Sequence, residues 1–389
     1  MSIARVTEII ASSNTSFEDA VEKATSTARL RHPLSHWSIK YLICFQVSRL
    51  FWLCRGHLTH YPLVAFITLL LVSGPAAGTS LDRQTIDDAQ WHSKILQASG
   101  ISSAVVKAQV LLDRARFSPG EIDGRMGENF RKALTAFAVE NELQTSGELT
   151  EPVWQKLVAV SSDPVLKEYT ISKGDVKGPF AERIPAKMED KADLPALAYI
   201  SPRERLAEKF HMSEELLAVL NPGQKFDSFG DTIVIANVRN GNLPGKVARI
   251  EVDKSAQTLR AFGRDKRLLA FYPITAGSAE NPAPSGRLKV TGVSKNPTYR
   301  YNPDYAFKGV KTQKPFTINS GPNNPVGLVW IGLAPGEGYG IHGTPEPSKV
   351  SKTESHGCIR MTNWDALELA SALAKGTPVD FIGDERTQP

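Results

Sequence analysis

The chain has 389 residues, 41% of them apolar and 22% charged, with a formal net charge of +5. That length suggests two to three domains, and the composition is ordinary for a globular protein. The positive excess is mild and spread out, with no run of Lys and Arg, so nucleic acid is set aside as a partner while a modest attraction to an anionic surface is kept.

Residues 1–60 carry scattered Ser, Thr and charge with no period, and are treated as an N-terminal extension of unassigned role. Residues 61–77 form an apolar core that ends in small residues, with Arg55 upstream. This is the pattern of an export signal, set unusually deep in the chain. Either residues 1–60 are a cytoplasmic extension, or translation starts downstream of Met1 at a non-Met codon. Residues 61–78 are therefore assigned as a signal peptide or a signal anchor, the core being a little short of the ~20 residues of a full span. A buried core helix is the bland alternative. The expected location is exported, periplasmic or cell-wall associated, with anchoring in the inner membrane through residues 61–77 as the alternative. Cys44 and Cys54 precede the signal. Its removal leaves Cys358 alone, unable to make an internal disulfide and a candidate reactive thiol.

Residues 85–160 read as a small all-α module. Val106, Val110 and Leu111 fall on one helical stripe, and Phe130, Leu134 and Phe137 on another. A turn-forming loop, Ser118-Pro119-Gly120, lies between them. Thr150 is expected to cap a third helix with Pro152 in its first turn. The run Ala108-Gln109-Val110-Leu111-Leu112, then Ile122-Asp123-Gly124, then Gly147-Glu148-Leu149-Thr150 resembles the type 1 peptidoglycan-binding module. That resemblance implies peptidoglycan as a partner. A generic helical linker is the alternative.

Residues 163–240 read as strand, helix, helix, strand. Residues 168–172 form the first strand, Ser201-Pro202-Arg203-Glu204 is a capping box, Ser213 caps a second helix, and residues 231–238 alternate as a strand. The order resembles a LysM glycan-binding module, an α+β segment. Residues 176–198 interrupt the close spacing, so a spacer domain without ligand stands beside it.

Residues 246–383 read mostly as strands, with one clear helix over 363–375 ended by Gly376. Here lies Gly340-Ile341-His342-Gly343-Thr344, followed by Ser355-His356-Gly357-Cys358-Ile359-Arg360-Met361. A Cys nucleophile needs a base to make its thiolate, and glycines beside it allow a tight turn and a carbonyl's approach to amide N–H groups. The bland reading is a buried Cys near two satisfied histidines. Zinc is the rival chemistry, but there is no Cys-x-x-Cys or His-Glu-x-x-His, and no metal or other cofactor is expected.

The arrangement resembles the YkuD-type L,D-transpeptidase catalytic domain, whose pattern is a His, a gap, then Ser/Thr-(His/Lys)-Gly-Cys, an apolar residue and Arg or Asn. Pro284 and Gly286 match a further family segment, and Asn324-Pro325-Val326-Gly327 resembles one before the His. The resemblance implies a β-sandwich-like fold with a flanking helix. It implies a two-step acyl transfer, in which Cys358 attacks a peptidoglycan tetrapeptide stem, D-Ala leaves, and an amine from a second stem or a lipoprotein resolves the thioester. In that reading His342 is the base, lowering the thiol pKa by ion pairing. Gly343 supplies the orienting carbonyl, Gly357 and Cys358 the oxyanion hole, and His356 shapes the loop. Arg360 and Ser355 are assigned to substrate. A catalytically silent wall-binding protein and an L,D-carboxypeptidase-type hydrolase are the alternatives.

Overall fold

A computed structural model describes residues 81–383, apart from residues 94–99, 145, 240, 279–280, 304–309, 311, 313, 337, 354 and 356. The signal assigned to 61–78, Cys44, Cys54 and His356 lie outside the described residues. Among the described residues no helix is long and apolar enough to cross a membrane.

The N-terminal part is helical, as its stripes predict: α1 (Arg83–Asp87), α2 (Ser103–Arg114), α3 (Glu128–Glu140) and α4 (Glu151–Val158). The predicted stripe residues are buried at Val106, Val110, Leu111, Phe130, Leu134 and Phe137. Thr150 does sit at the N-cap of α4, but its side chain makes no capping bond.

The middle segment pairs β1 (Leu166–Thr170) antiparallel with β2 (Thr232–Ala236). Between them come α5 (Lys173–Val176), α6 (Met188–Lys191), α7 (Pro202–Lys209) and α8 (Glu214–Leu220). Ser201 accepts from the Glu204 N–H at 3.1 Å and Ser213 from the Leu216 N–H at 3.0 Å, so both predicted caps form. The one-turn α5 is closed by a reciprocal Ser172–Asp175 capping box. Helical and middle parts share one hydrophobic cluster, from Ile86 through Trp154 to Ile235, and that cluster includes Phe271 from the C-terminal part.

The C-terminal part is mainly β. Its strands are β3 (Arg249–Asp253), β4 (Thr258–Phe262), β5 (Leu268–Pro273), β6 (Thr275–Ala276), β7 (Gly286–Lys295), β8 (Tyr299–Tyr301), β9 (Phe316–Ile318), β10 (Val329–Ala334), β11 (Gly340–His342), β12 (Ile359–Arg360) and β13 (Pro378–Ile382). Nine of them form one sheet in the order β5-β4-β3-β13-β7-β10-β11-β12-β6. Its two ends, β5 and β6, are separated in the chain by Ile274 alone, so the sheet must curl round until its edges approach. The expected sandwich-like pair of sheets is thus replaced by one barrel-like sheet. Alternation along β3 and β10 buries Ile250, Val252, Ile331 and Leu333 in its interior. Helix α9 (Asn363–Ser371) adds Ala366, Leu369 and Ala370 to that core. It stops at Ser371, short of the expected 375, and Gly376 follows at φ +90°.

Candidate active site

The site is built where two short strands run side by side. β11 pairs in parallel with β12, with Ile341 opposite Ile359 and His342 opposite Arg360. Cys358 is the residue that leads into β12. The period of two therefore directs His342 and Arg360 to one face, with Cys358 just beside them. β12 is held on its other side by β6, with Ile359 opposite Ala276.

His342 is 5% exposed. Its ring stacks on Trp330, its cross-strand partner on β10, with centroids 5.7 Å apart and planes at 14°. Gly340 makes room for that indole, since a Cβ there would come within 2.5 Å of it. Nδ1 lies 2.6 Å from the Gly343 carbonyl oxygen. A carbonyl can only accept, so Nδ1 carries the proton and Nε2 keeps its lone pair. Burial, with the positive Arg360 adding to it, lowers the His342 pKa to about 4.

Cys358 is half-buried and its thiol donates to the Gly338 carbonyl at 3.4 Å. Burial pushes that thiol up to about 11, against the opposing pull of the Gly340 backbone and Arg360. With one pKa high and the other low, the two groups stand at neutral pH as thiol and neutral imidazole. The expected lowering of the thiol pKa by ion pairing has no counterpart in these directions, since burial is the first cause at both groups. Among the described residues no hydrogen bond joins Sγ to His342, so the thiol must swing from Gly338 to reach Nε2.

Gly357 takes φ +94°, a conformation open to glycine at little cost. Among the described residues no carbonyl accepts the Gly357 or Cys358 N–H. Ser355 differs from its expected place at the substrate. It is 3% exposed; its hydroxyl donates to the Cys358 carbonyl at 2.6 Å and accepts the Gly277 N–H at 2.7 Å. It is a strut that fixes the turn before the cysteine. Arg360 reaches Thr353 at 3.4 Å, and its buried Nε has no partner among the described residues. Burial lowers its pKa, while Glu346 and Cys358 oppose that shift.

Several residues that support the site were not singled out from sequence as doing so. Trp330 is one; its signal was only the alternation of β10. Asn363, read merely as a helix start, is 1% exposed, and its Oδ1 accepts the Leu328 N–H at 3.1 Å. That oxygen lies so close to Gly343 and Gly327 that a Cβ on either would meet it at 2.2 Å or 2.1 Å. This contact explains the glycine of Asn324-Pro325-Val326-Gly327. A cavity of about 430 Å³ opens between the middle segment and α9, lined among others by Tyr199, Glu208, His211, Arg239, Asn363 and Trp364. Neither Cys358 nor His342 lines it, so it is separate from the thiol.

A family model for the L,D-transpeptidase catalytic domain matches residues 247–381, and one for a peptidoglycan binding domain matches residues 102–157. YkuD of Bacillus licheniformis, which bears the name of an L,D-transpeptidase, is 35% identical over 181 residues, 46% of this chain and 92% of that protein. The chain belongs to the L,D-transpeptidase family. YkuD of Bacillus subtilis is 30% identical over 45% of this chain and 89% of its own length. YbiS of Escherichia coli is 28% identical over 47% of this chain and 60% of its own. The solved L,D-transpeptidase 3 of Mycobacterium tuberculosis is 14% identical, over 40% of this chain and 75% of that one, with a TM-score of 0.29, too slight a likeness to add anything. A dodecin model matches residues 3–33, outside the described residues. As an L,D-transpeptidase with a peptidoglycan binding domain, the protein has peptidoglycan as its substrate.

Proposed function

We propose that this L,D-transpeptidase works as a cysteine acyltransferase with Cys358 as nucleophile and His342 as general base. The observation that carries the reading is the His342 tautomer: Nδ1–H is held by the Gly343 carbonyl, which leaves Nε2 free on the strand beside Cys358. In the first half-reaction Sγ attacks the carbonyl between diaminopimelate and D-Ala, and its proton passes to Nε2. The C–S bond forms and the amide C–N bond breaks. The proton goes on to the departing D-Ala amine. The carbonyl oxygen, negative in between, faces the N–H groups of Gly357 and Cys358. In the second half an acceptor amine attacks the thioester, its proton returns through His342, and Cys358 leaves as a thiol.

His342 acts from a neutral start, so the thiolate exists only during attack. Arg360, cationic beside the thiol, is assigned to a substrate carboxylate by the bidentate chemistry of guanidinium. His356 shapes the turn. The acceptor is assigned as an amine of a second stem, which crosslinks the wall, with a lipoprotein amine as the alternative. Residues 102–157 hold the glycan-peptide mesh, residues 163–240 act as a support, and the protein is exported to the wall.

Incubation with purified disaccharide tetrapeptide, followed by mass spectrometry, tests this. D-Ala release, a thioester on the Cys358 peptide and a crosslinked dimer are expected. D-Ala release with only free tripeptide product would make the enzyme a hydrolase. Neither release nor adduct would sink the reading.

A further inference from the structure

Glu208 lies on α7, in the middle segment, yet its carboxyl group is directed into the catalytic domain. It is 8% exposed. Asn363 Nδ2 donates to its two oxygens at 3.1 Å and 3.0 Å, and Tyr199 donates to Oε2 at 3.2 Å. Asn363 Nδ2 also donates to the Pro322 carbonyl at 3.3 Å. The other end of the same amide accepts from Leu328 and packs on Gly343, whose carbonyl in turn fixes His342. An asparagine amide has two ends of opposite polarity, and only its hydrogen-bond partners decide which way it faces. Glu208 turns its acceptor capacity toward one side of the amide and so commits Nδ2 there, leaving Oδ1 against the glycine pair.

We propose that Glu208, through Asn363, is a positioning residue for the catalytic base: it locks the Asn363 amide beneath Gly343 and thereby holds the carbonyl that orients His342. The middle segment is then a component of the active site at one remove, beyond any part it has in wall binding. The proposal rests on the assignment of His342 as base to Cys358.

The contact is local and dense. Gly343 N–H donates to the Val329 carbonyl at 3.3 Å, and Met361 N–H to the His342 carbonyl at 2.9 Å. The peptide after His342 is thus clamped by strands on two sides and by Asn363 beneath. The clamp from beneath alone depends on a residue outside the catalytic domain.

The full chain carrying Glu208→Leu, which keeps bulk and removes the acceptor, is compared with Glu208→Gln, which keeps an acceptor oxygen. Asn363→Asp, which removes the donor, serves as the second variant should the leucine chain not fold. Two readouts are taken: kcat and KM on disaccharide tetrapeptide, and the iodoacetamide alkylation rate of Cys358 from pH 6 to 9. Glu208→Leu and Asn363→Asp are expected to lower kcat by about ten-fold, a part of the ~10²–10⁴-fold that a general base supplies. KM should move less than about two-fold, since no substrate contact is lost. Alkylation should slow in the same two variants, and Glu208→Gln should stay within about two-fold of the parent in both readouts. Lower thermal stability with unchanged kcat and alkylation would make Glu208 a packing residue and overturn the proposal, as would equal losses for the Leu and Gln variants. Alkylation needs no peptidoglycan. A parent protein that turns over no tetrapeptide would therefore count against the enzyme reading, while the alkylation series still judges Glu208.

Discussion

The loop around Cys358 and the seam between the modules are built in opposite ways. The loop draws its chemistry from residues 338–360, twenty-three consecutive positions that include two short neighbouring strands. The seam draws its bonds from residues far apart in the chain. Phe271 N–H donates to the Arg116 carbonyl and Ser118 N–H to the Phe271 carbonyl, both at 2.9 Å. Leu197 N–H donates to the Ser320 carbonyl and Asn323 N–H to the Leu197 carbonyl, again at 2.9 Å. Glu368 receives Arg116 at 2.6 Å, Arg239 through Nε at 2.7 Å and the Tyr272 hydroxyl at 2.8 Å. Asn129, on α3, donates to the Val350 carbonyl at 3.0 Å, in the stretch that joins His342 to Cys358. The wall-binding part is therefore not a bead on a flexible tether. It is docked against the catalytic domain and bonds to the stretch that leads to Cys358. The seam sets how steadily the chemistry is held, and the loop sets what the chemistry is.

That contrast can be broken at either end. The largest effect belongs to the loop: Cys358→Ser should drop transpeptidation to background while the melting temperature stays put. A hydroxyl is too weak an acid for this imidazole to deprotonate. Near-parental turnover by the serine variant would dismiss Cys358 as nucleophile.

His342→Ala comes next, with an expected loss of ~10²–10⁴-fold in kcat/KM. The same histidine gives the contrast a pH signature. His342 is basic only above its pKa of about 4, and the thiol is not ionised below about 11. The acid limb of kcat/KM should therefore lie near 4, and Cys358 alkylation should keep rising above neutral pH. Alkylation already level at pH 7 would restore the ion pair, and an acid limb near the ordinary histidine value would show that burial does not depress His342.

At the seam the expected damage is to stability. Glu368→Ala removes the anion between Arg116 and Arg239, whose side chain is 9% exposed. Asp113 still faces Arg239 at 3.5 Å, so the cost should fall below the about 3–5 kcal/mol of a wholly uncompensated buried charge, read as a fall in the denaturant midpoint. Cys358 chemistry in the surviving folded fraction should be close to normal. A variant as stable as the parent would mean the network is solvated and the docking loose.

The smallest effect is a slope. Burial raises Glu208 to about 8 and Asp365 and Glu121 to about 7, with the Asp123 charge adding at Glu121. These carboxyls bind protons more tightly when folded, so their contribution is complete at acid pH and is lost as pH rises through the folded values. Stability should decline between roughly pH 5 and pH 8, and Glu208→Gln should flatten part of that decline. A Glu208→Gln chain with the parental slope would show that Glu208 is ionised when folded.

The grouping of the proposed site residues and the local elements are legible in the sequence. His342, Gly343, Gly357 and Cys358 are close in the chain, and two short paired strands suffice to set them side by side. The stripes of α2 and α3 and the caps at Ser201 and Ser213 are local too, since a helix period and a capping bond span three or four residues. Tertiary structure alone decided the rest. It curled the expected sandwich into one sheet, because β5 and β6 share a chain bend yet sit at opposite ends of the strand order. It set the protonation of the pair, because desolvation depends on everything packed around it. It turned Ser355 from a substrate contact into a strut. It also gave a use to residues 176–198, which looked like an interruption: Leu194 and Leu197 bond to Asn319, Ser320 and Asn323 of the catalytic domain. Such contacts leave no period in the sequence. A buried Glu208 beside Leu206 and Ala207 reads like any helix glutamate until the fold brings Asn363 to it from 155 residues away.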